Sequence, residues 1–295
     1  MSWPLVQVSL LVSMTHAVRA VGDRLGPRWG ALVLGLPSTT AVLLVGGGCE
    51  SGADTATRGA EAGLLGLVAT VALPLAYAWA ARRGWGVPAT LAAGVLAYLG
   101  VATLLLAAPD VGPWVAAAVA LVGVGVACRM ADRLPRHDGP ARAGLALRSI
   151  VLRSAVPAVF VMANRGLRAA AGPDCAGAFA TFPAMSLAVL VSIHLESGRG
   201  AAVGMARSMP RGNLLMVAFL ISFRAACPAV GPLGSAAVGY LAVLATMAVL
   251  VRPRISNRPM PIRPCGLRVD ARSGIPPRAP RGVLRFAPRI EVILG

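Results

Sequence analysis

The chain is divided into a succession of apolar runs, each close to the roughly 20 residues that an α-helix needs to cross the hydrocarbon core of a bilayer. They fall at 3–21, 29–48, 62–81, 87–107, 113–129, 149–166, 175–194, 212–228 and 230–251. A lipid core offers no partner to a free backbone N–H or C=O, so runs of this kind must be helical. The expected fold is therefore all-α, a polytopic transmembrane helical bundle of about nine helices. His16 and Arg19, Arg153 and Arg165, and Arg224 fall inside or at the edge of the first, sixth and eighth runs, which leaves eight as the alternative count.

Composition agrees with this reading. Of the 295 residues 57% are hydrophobic and only 13% are charged, outside the range of an ordinary soluble domain. The formal net charge of +17 comes from arginine alone, and ten of the 28 arginines lie after residue 251. A basic charge gathered in one tail differs from the basic face that reads a duplex, so nucleic-acid binding is not expected. That tail, residues 252–295, holds eight prolines and no apolar period. It is expected to be disordered and to lie beside anionic lipid, with a misread gene end as the alternative. Five cysteines (Cys49, Cys128, Cys175, Cys227, Cys265) form no CxxC pair and read as small apolar side chains. No basic region precedes the first apolar run, so that run is expected to remain as a span instead of being cleaved as a signal.

Arginine distribution sets the expected orientation, because cytoplasmic loops carry the excess positive charge. With the tail inside, the inner connections hold Arg24 and Arg28, then Arg82 and Arg83, then Arg129, Arg133, Arg136, Arg142 and Arg148, then Arg199, Arg207 and Arg211. The outer ones hold Glu50, Asp54, Arg58 and Glu61, then Asp110, then Arg165, Arg168 and Asp174, and only the last of these leans against the rule. The expected location is the bacterial inner (plasma) membrane, multi-pass, with the C-terminal tail cytoplasmic.

Shifted by 146 residues, the chain aligns with itself without a gap. Arg19 falls on Arg165, Gly26-Pro27 on Gly172-Pro173, Pro37 on Pro183, Glu50-Ser51-Gly52 on Glu196-Ser197-Gly198, and Gly66 on Gly212. Between residues 19 and 72 there are 14 identities in 54 positions, where chance in such a composition gives about five. The expected organisation is a first four-helix repeat over 1–108, a connecting helix and basic cytoplasmic loop over 109–147, a second four-helix repeat over 148–251, and the tail over 252–295. An odd number of crossings between equivalent helices inverts the second copy, as in many secondary transporters. Each unit resembles the GlpM-like small inner-membrane proteins of bacteria. The resemblance rests on Gly172, Pro173, Phe182, Pro183, His194, Gly198 and Arg207 in the second unit and on Gly26, Pro27, Pro37 and Gly52 in the first. The first unit departs from it with Leu36 and Gly48 in place of the Phe and His, and the connecting helix and tail are unmatched. The resemblance implies a fold and no defined activity.

Several residues stand out as candidates. Pro37 and Pro183 are expected to kink the middle of their helices, with Thr40 and Ser186 three residues on to take up a freed backbone group or line a substrate path. Glu50 and Glu196 close the same helices, and His194 could titrate near neutral pH; ion coupling competes here with simple capping or a bridge such as Glu196 to Arg199. Arg19 and Arg165 either snorkel to headgroups or gate the path by pairing with Glu50 or Glu196. Arg224 has Ala78 as its counterpart and either snorkels or faces a cavity. Gly30, Gly35 and Gly46–Gly48 read as helix-packing surfaces. No nucleotide, metal or hydrolase motif occurs, and neither a cofactor nor a metal is expected. Beyond the lipid bilayer, the expected partner is a small-molecule or ion substrate of a permease-like carrier. The competing readings are a non-transporting scaffold or regulator acting through its basic loops and tail and, more weakly, a membrane enzyme using Glu196 and His194. Oligomeric state leaves no trace in the sequence.

Overall fold

The computed structural model describes residues 36–107, 111–135 and 147–251, together with residues 6–10, 12, 13 and 16. Six helical elements follow one another: α1 (Ser38–Ser51), α2 (Ala53–Arg82), α3 (Val87–Leu106), α4 (Pro113–Asp132), α5 (Leu147–Ala180) and α6 (Ala184–Val251). Residues 6–10 and 12–13, in the first apolar run, are also helical, and no strand occurs among the described residues. Four stretches, Ala53–Arg82, Val87–Leu105, Pro113–Asp132 and Cys175–Leu250, are long and apolar enough to cross a membrane. They support a multi-pass transmembrane protein. Arg19, the Gly26-Pro27 pair and the tail 252–295 lie outside the described residues.

Single glycines do the work that loops were expected to do. Gly52 (φ 93, ψ 165) separates α1 from α2, Gly172 (φ 83, ψ 179) interrupts α5, and Gly198 (φ 84, ψ 179) and Gly231 (φ 70, ψ 178) interrupt α6. A positive φ with an extended ψ is a region open essentially to glycine alone. The sequence reading is corrected accordingly. Asp54, Arg58 and Glu61 are on α2, Arg165 and Arg168 on the piece 147–171, and Arg199, Arg207 and Arg211 on the piece 199–230, none of them in a loop. Alanine, arginine and glutamate favour helix, so when a corner needs one residue the helix continues past the apolar run.

α2 is the axis of the bundle. It touches α1 and α3 to α6, and 67% of its apolar window is buried inside the protein, against 22% for α3 and 33% for α4. Contacts along it fix the direction of its neighbours. Near its start Gly59 faces Gly177 and Glu61 meets Arg224; Gly63 lies against Leu220, Thr70 meets Thr181 midway, and Tyr77 meets His194 near the far end. The piece 184–197 therefore runs parallel to α2, and 199–230, whose numbers rise as those of α2 fall, runs antiparallel. The chain reverses at Gly198. α1 begins at the same mid-level, where Thr40 meets Ala180, and finishes beside the start of α2, where Gly48 packs on Ala56. From Gly59 to Tyr77 the helix rises roughly 27 Å, close to the thickness of a hydrocarbon core. Thus α1 and 184–197 start together at mid-depth and end on opposite sides.

Small residues permit this crowding. A Cβ on Gly177 would stand 2.5 Å from the Gly59 backbone, and one on Gly66 would stand 2.5 Å from the Ala178 carbonyl oxygen. Gly59, Gly63 and Gly66 form one face of α2 against which the end of α5 lies at backbone distance. One apolar cluster, around Leu64, Leu67, Phe219 and Phe223, fills the bundle toward the start of α2; a second, around Leu73, Tyr77, Leu190 and Ala202, fills it toward the end. Leu96, Leu104, Val122 and Leu241 point outward, as a lipid-facing surface requires. At the end of α2 the Arg83 guanidinium lies 4.2 Å from the Trp79 ring, which packs edge-on against Trp85, an arrangement suited to headgroup level.

Candidate functional site

Two helices start at mid-depth, and a proline precedes each. The expectation of proline kinks inside continuous helices is corrected: α1 starts at Ser38, directly after Pro37, and residues 181–183 are non-helical between α5 and α6. Proline lacks an N–H and disfavours helix in the residue before it. A break instead of a kink frees more backbone groups, and it persists here because they find partners.

Those partners can be followed one by one. The Ala178 carbonyl accepts the Tyr98 hydroxyl at 3.2 Å and the Thr181 hydroxyl at 2.7 Å. The Ala180 carbonyl accepts Thr40 Oγ1 at 3.0 Å, and the Thr181 carbonyl accepts Thr70 Oγ1 at 2.7 Å. Hydroxyls from α1, α2 and α3 thus close the open end of α5, and Thr40, Thr70, Tyr98 and Thr181 are all buried. Each such bond between membrane helices contributes about 0.6 kcal/mol on average. Thr40 thus takes up a carbonyl that the break between α5 and α6 leaves open. The Ser38 hydroxyl lies 3.3 Å from the sulfur of Met185, so the two helix starts touch. Ser186 is half-buried in the turn after Pro183. Phe182, in the break, packs edge-on against Tyr98 at 4.8 Å and stacks with Phe160 and Phe179.

The first turn of any helix also leaves N–H groups with no partner inside the helix, and partial positive charge collects there. Two such ends meet at this crossing. Hydroxyls, carbonyl oxygens and helix N-termini can bind and orient a polar group. No cluster of three metal-ligating side chains occurs among the described residues.

The end of α1 is closed by charge. Arg165 Nη1 donates to Glu50 Oε1 at 2.7 Å, with the two side chains 34% and 37% exposed. Arg168 is half-buried; its guanidinium lies over Gly47, where a Cβ would occupy the same space, and it donates to the Leu43 carbonyl at 3.3 Å. Burial pushes the Arg168 proton affinity below the usual arginine value, while Glu50 acts in the opposite direction. Beyond the glycine run, Gly48 is covered by Pro232.

The end of 184–197 is held by a contact between two ring side chains. The Tyr77 hydroxyl lies 2.8 Å from Nδ1 of His194, the rings meeting edge-to-face at 5.7 Å, and both side chains are buried. Glu196, half-buried, follows two residues later at the Gly198 corner. Of the other residues singled out in sequence, Arg165 and Glu50 are brought together, His194 finds Tyr77, and Arg19 lies outside the described residues.

Sequence reasoning missed three partners. Arg224 pairs with Glu61, Nε to Oε1 at 2.6 Å, beside an apolar crevice lined by Trp114 and Ile221. Asp132 pairs with Arg207 and Arg211. A lone arginine in an apolar run demands a partner, and Glu61, the acid nearest a run at that end, carried the signal. Tyr77 carried none, because an aromatic residue in a span reads as packing. No known protein family, no curated protein and no solved structure matches this chain.

Proposed function

We propose that the chain is a permease-like carrier of a small solute or ion in the bacterial inner membrane, built from two inverted four-helix repeats joined by α4, with its tail cytoplasmic. The observation that carries this reading is the pair of helices that start side by side, each directly after a proline. α1 and the piece 184–197 begin one residue after Pro37 and Pro183, 146 positions apart, and both end at corner glycines of the same conformation, again 146 apart. They touch where they start, through Ser38 and Met185, and run to opposite ends of α2. Discontinuous helices meeting at mid-depth, with free backbone dipoles, are how many secondary transporters hold a substrate between two inverted halves. In this reading the crossing at Pro37, Thr40, Pro183 and Ser186 is the substrate site. Arg165–Glu50 closes the outer end and Tyr77–His194 the cytoplasmic end, and the GlpM-like character of each half describes one repeat.

Two measurements test it. Topology reporters fused after Gly52, Asp138 and Gly198 are expected to report outside, inside and inside; Gly52 and Gly198 on the same side would remove the inversion and the carrier with it. Single cysteines at Thr40→Cys and Ser186→Cys, with the five native cysteines replaced by serine, are expected to react with a membrane-impermeant maleimide from opposite sides. Constant shielding of both positions would favour a scaffold.

A further inference from the structure

The polar side chains of the crossing divide into two kinds. The hydroxyls of Thr40, Thr70 and Tyr98 each pair a carbonyl that the break leaves open, so the backbone requires them. The Tyr77–His194 bond serves no backbone group. It joins two side chains where Tyr77 packs in an apolar cluster with Leu190, Val191, Ala202 and Val203, and two apolar side chains would fill that space without any polar group to desolvate. The positions 146 residues away are apolar, Phe223 for Tyr77 and Gly48 for His194. The pair also sits where it controls access, on the last turns of 184–197, tying that helix to α2.

We propose that the Tyr77–His194 pair is a proton-operated latch on the cytoplasmic end of the substrate site, with the proton as its ligand. The inference rests on the carrier reading and names its regulation. A neutral imidazole has one nitrogen able to accept and one able to donate, and it fits this pocket with Tyr77 as its partner. An imidazolium donates from both nitrogens, and it places a full charge in the apolar cluster. Among the described residues, α2 presents Tyr77 to it, with Arg82 and Arg83 farther along; the piece 199–230 begins with Arg199, a like charge to an imidazolium; its own helix carries Glu196 two residues on. The charged ring therefore requires water, which enters when 184–197 swings away from α2. The proton comes from water on that side and binds the imidazole nitrogen, with no other bond changed. Because the opened conformer holds the proton better than the closed one, acid draws the protein toward the opened conformer.

The test uses the full chain in liposomes with Ser186→Cys as reporter. Between about pH 8 and about pH 5.5, the range over which an imidazole changes charge, reaction with thiosulfonate reagent from the cytoplasmic side, corrected for thiol ionisation with a cysteine in the tail, is expected to rise severalfold. His194→Gln keeps hydrogen-bonding capacity without titrating and is expected to abolish the rise. Tyr77→Phe removes the bond but keeps the ring and is expected to raise labelling already at the higher pH. The imidazole resonances of His194, assigned by their loss in His194→Gln, are expected to shift over the same interval. A rise that survives His194→Gln, labelling of the wild type that ignores pH, or a silent His194 resonance each overturns the latch. Measurable but pH-independent labelling from opposite sides at Thr40→Cys and Ser186→Cys would overturn the latch and leave the carrier standing, whereas complete shielding of both would remove the two together.

Discussion

α1 and the piece 184–197 are nearly the same object in backbone terms and different in every other respect. Each follows a proline, spans 14 residues to a Glu-Ser pair, and turns at a glycine with positive φ and extended ψ. α1 is thin near its end: Gly46, Gly47 and Gly48 leave a groove that the Arg168 guanidinium and Pro232 fill, and the seal beyond it is an ion pair open to solvent. The piece 184–197 carries Ser192, Ile193 and His194 at those positions, so the helix fills its own surroundings, and its end is held by a buried bond between His194 and Tyr77. The mid-level support is also one-sided. Thr70 and Tyr98 hold the break at 181–183, while the positions 146 residues on are Met216 and Leu244. A shared backbone path is thus compatible with two different contacts at its ends, an ion pair at one and a bond between ring side chains at the other.

The strongest way to break this comparison is to fill a glycine on each side. A methyl group on Gly66 would collide with the Ala178 carbonyl and Thr181 Oγ1, backbone and buried side chain that cannot yield. A methyl group on Gly47 meets the far end of a flexible arginine. Gly66→Ala is expected to destabilise by about 3 kcal/mol. Gly47→Ala is expected to displace Arg168 at under about 1 kcal/mol. Reversible unfolding in mixed micelles measures both, and equal losses would show that the groove over α1 is as rigid as the face of α2.

Next in size is the half-buried ion pair of Glu61 and Arg224. Glu61→Ala strands Arg224 at the flank of an apolar helix, with an expected loss of about 2 to 3 kcal/mol by insertion scales. Arg224→Ala is expected to cost less, because Glu61 lies nearer the start of its helix and reaches water more readily. The double variant is expected to recover part of the loss, and additive losses would show that the two residues do not depend on each other. Below this come Thr70→Val and Tyr98→Phe, each leaving one carbonyl of the break with one fewer donor and expected to cost about 0.6 kcal/mol. Met216→Thr, the reverse change at the counterpart of Thr70, is expected to bring no matching gain in unfolding free energy.

What was legible in the sequence follows from what a helix period can carry. Apolar runs of membrane length give the all-helical class, because lipid leaves the backbone no other choice. The glutamate ends of α1 and 184–197 were legible too, since Glu-Ser-Gly puts a charge and a turn where a span must stop. The corners were not, because a single glycine in a membrane segment looks like packing until its φ is known, and so Arg207, Arg211 and Glu61 were assigned to loops. Thr40 was identified because three residues past a proline is a local relation. Its partner Ala180 lies 140 residues away, and nothing local encodes that. Tyr77 and Arg168 escaped for the same reason: each acts across helices, one on His194 and one on the glycine run of α1.

The smallest effect sharpens the comparison most, because it separates the two seals without disturbing either fold. Arg165 and Glu50 are about one third exposed, and a pair so placed contributes about 0 to 1 kcal/mol to stability. Glu50→Gln is therefore expected to leave the unfolding midpoint almost unchanged. Its consequence is expected in access: Arg165 loses its partner at the mouth of the groove, Arg168 no longer feels the carboxylate beside it, and a cysteine at Thr40→Cys reacts faster from the Glu50 side. Salt at 1 M, where screening acts over about 3 Å, is expected to mimic the substitution in the wild type and to add nothing in Glu50→Gln. Labelling at Ser186→Cys from the other side is expected to ignore both changes, since the bond between Tyr77 and His194 is buried and lies far from the Glu50 carboxylate. If salt opened both positions equally, the two ends would share one electrostatic cause, and the division between an ion-paired end and a ring-paired end would not hold.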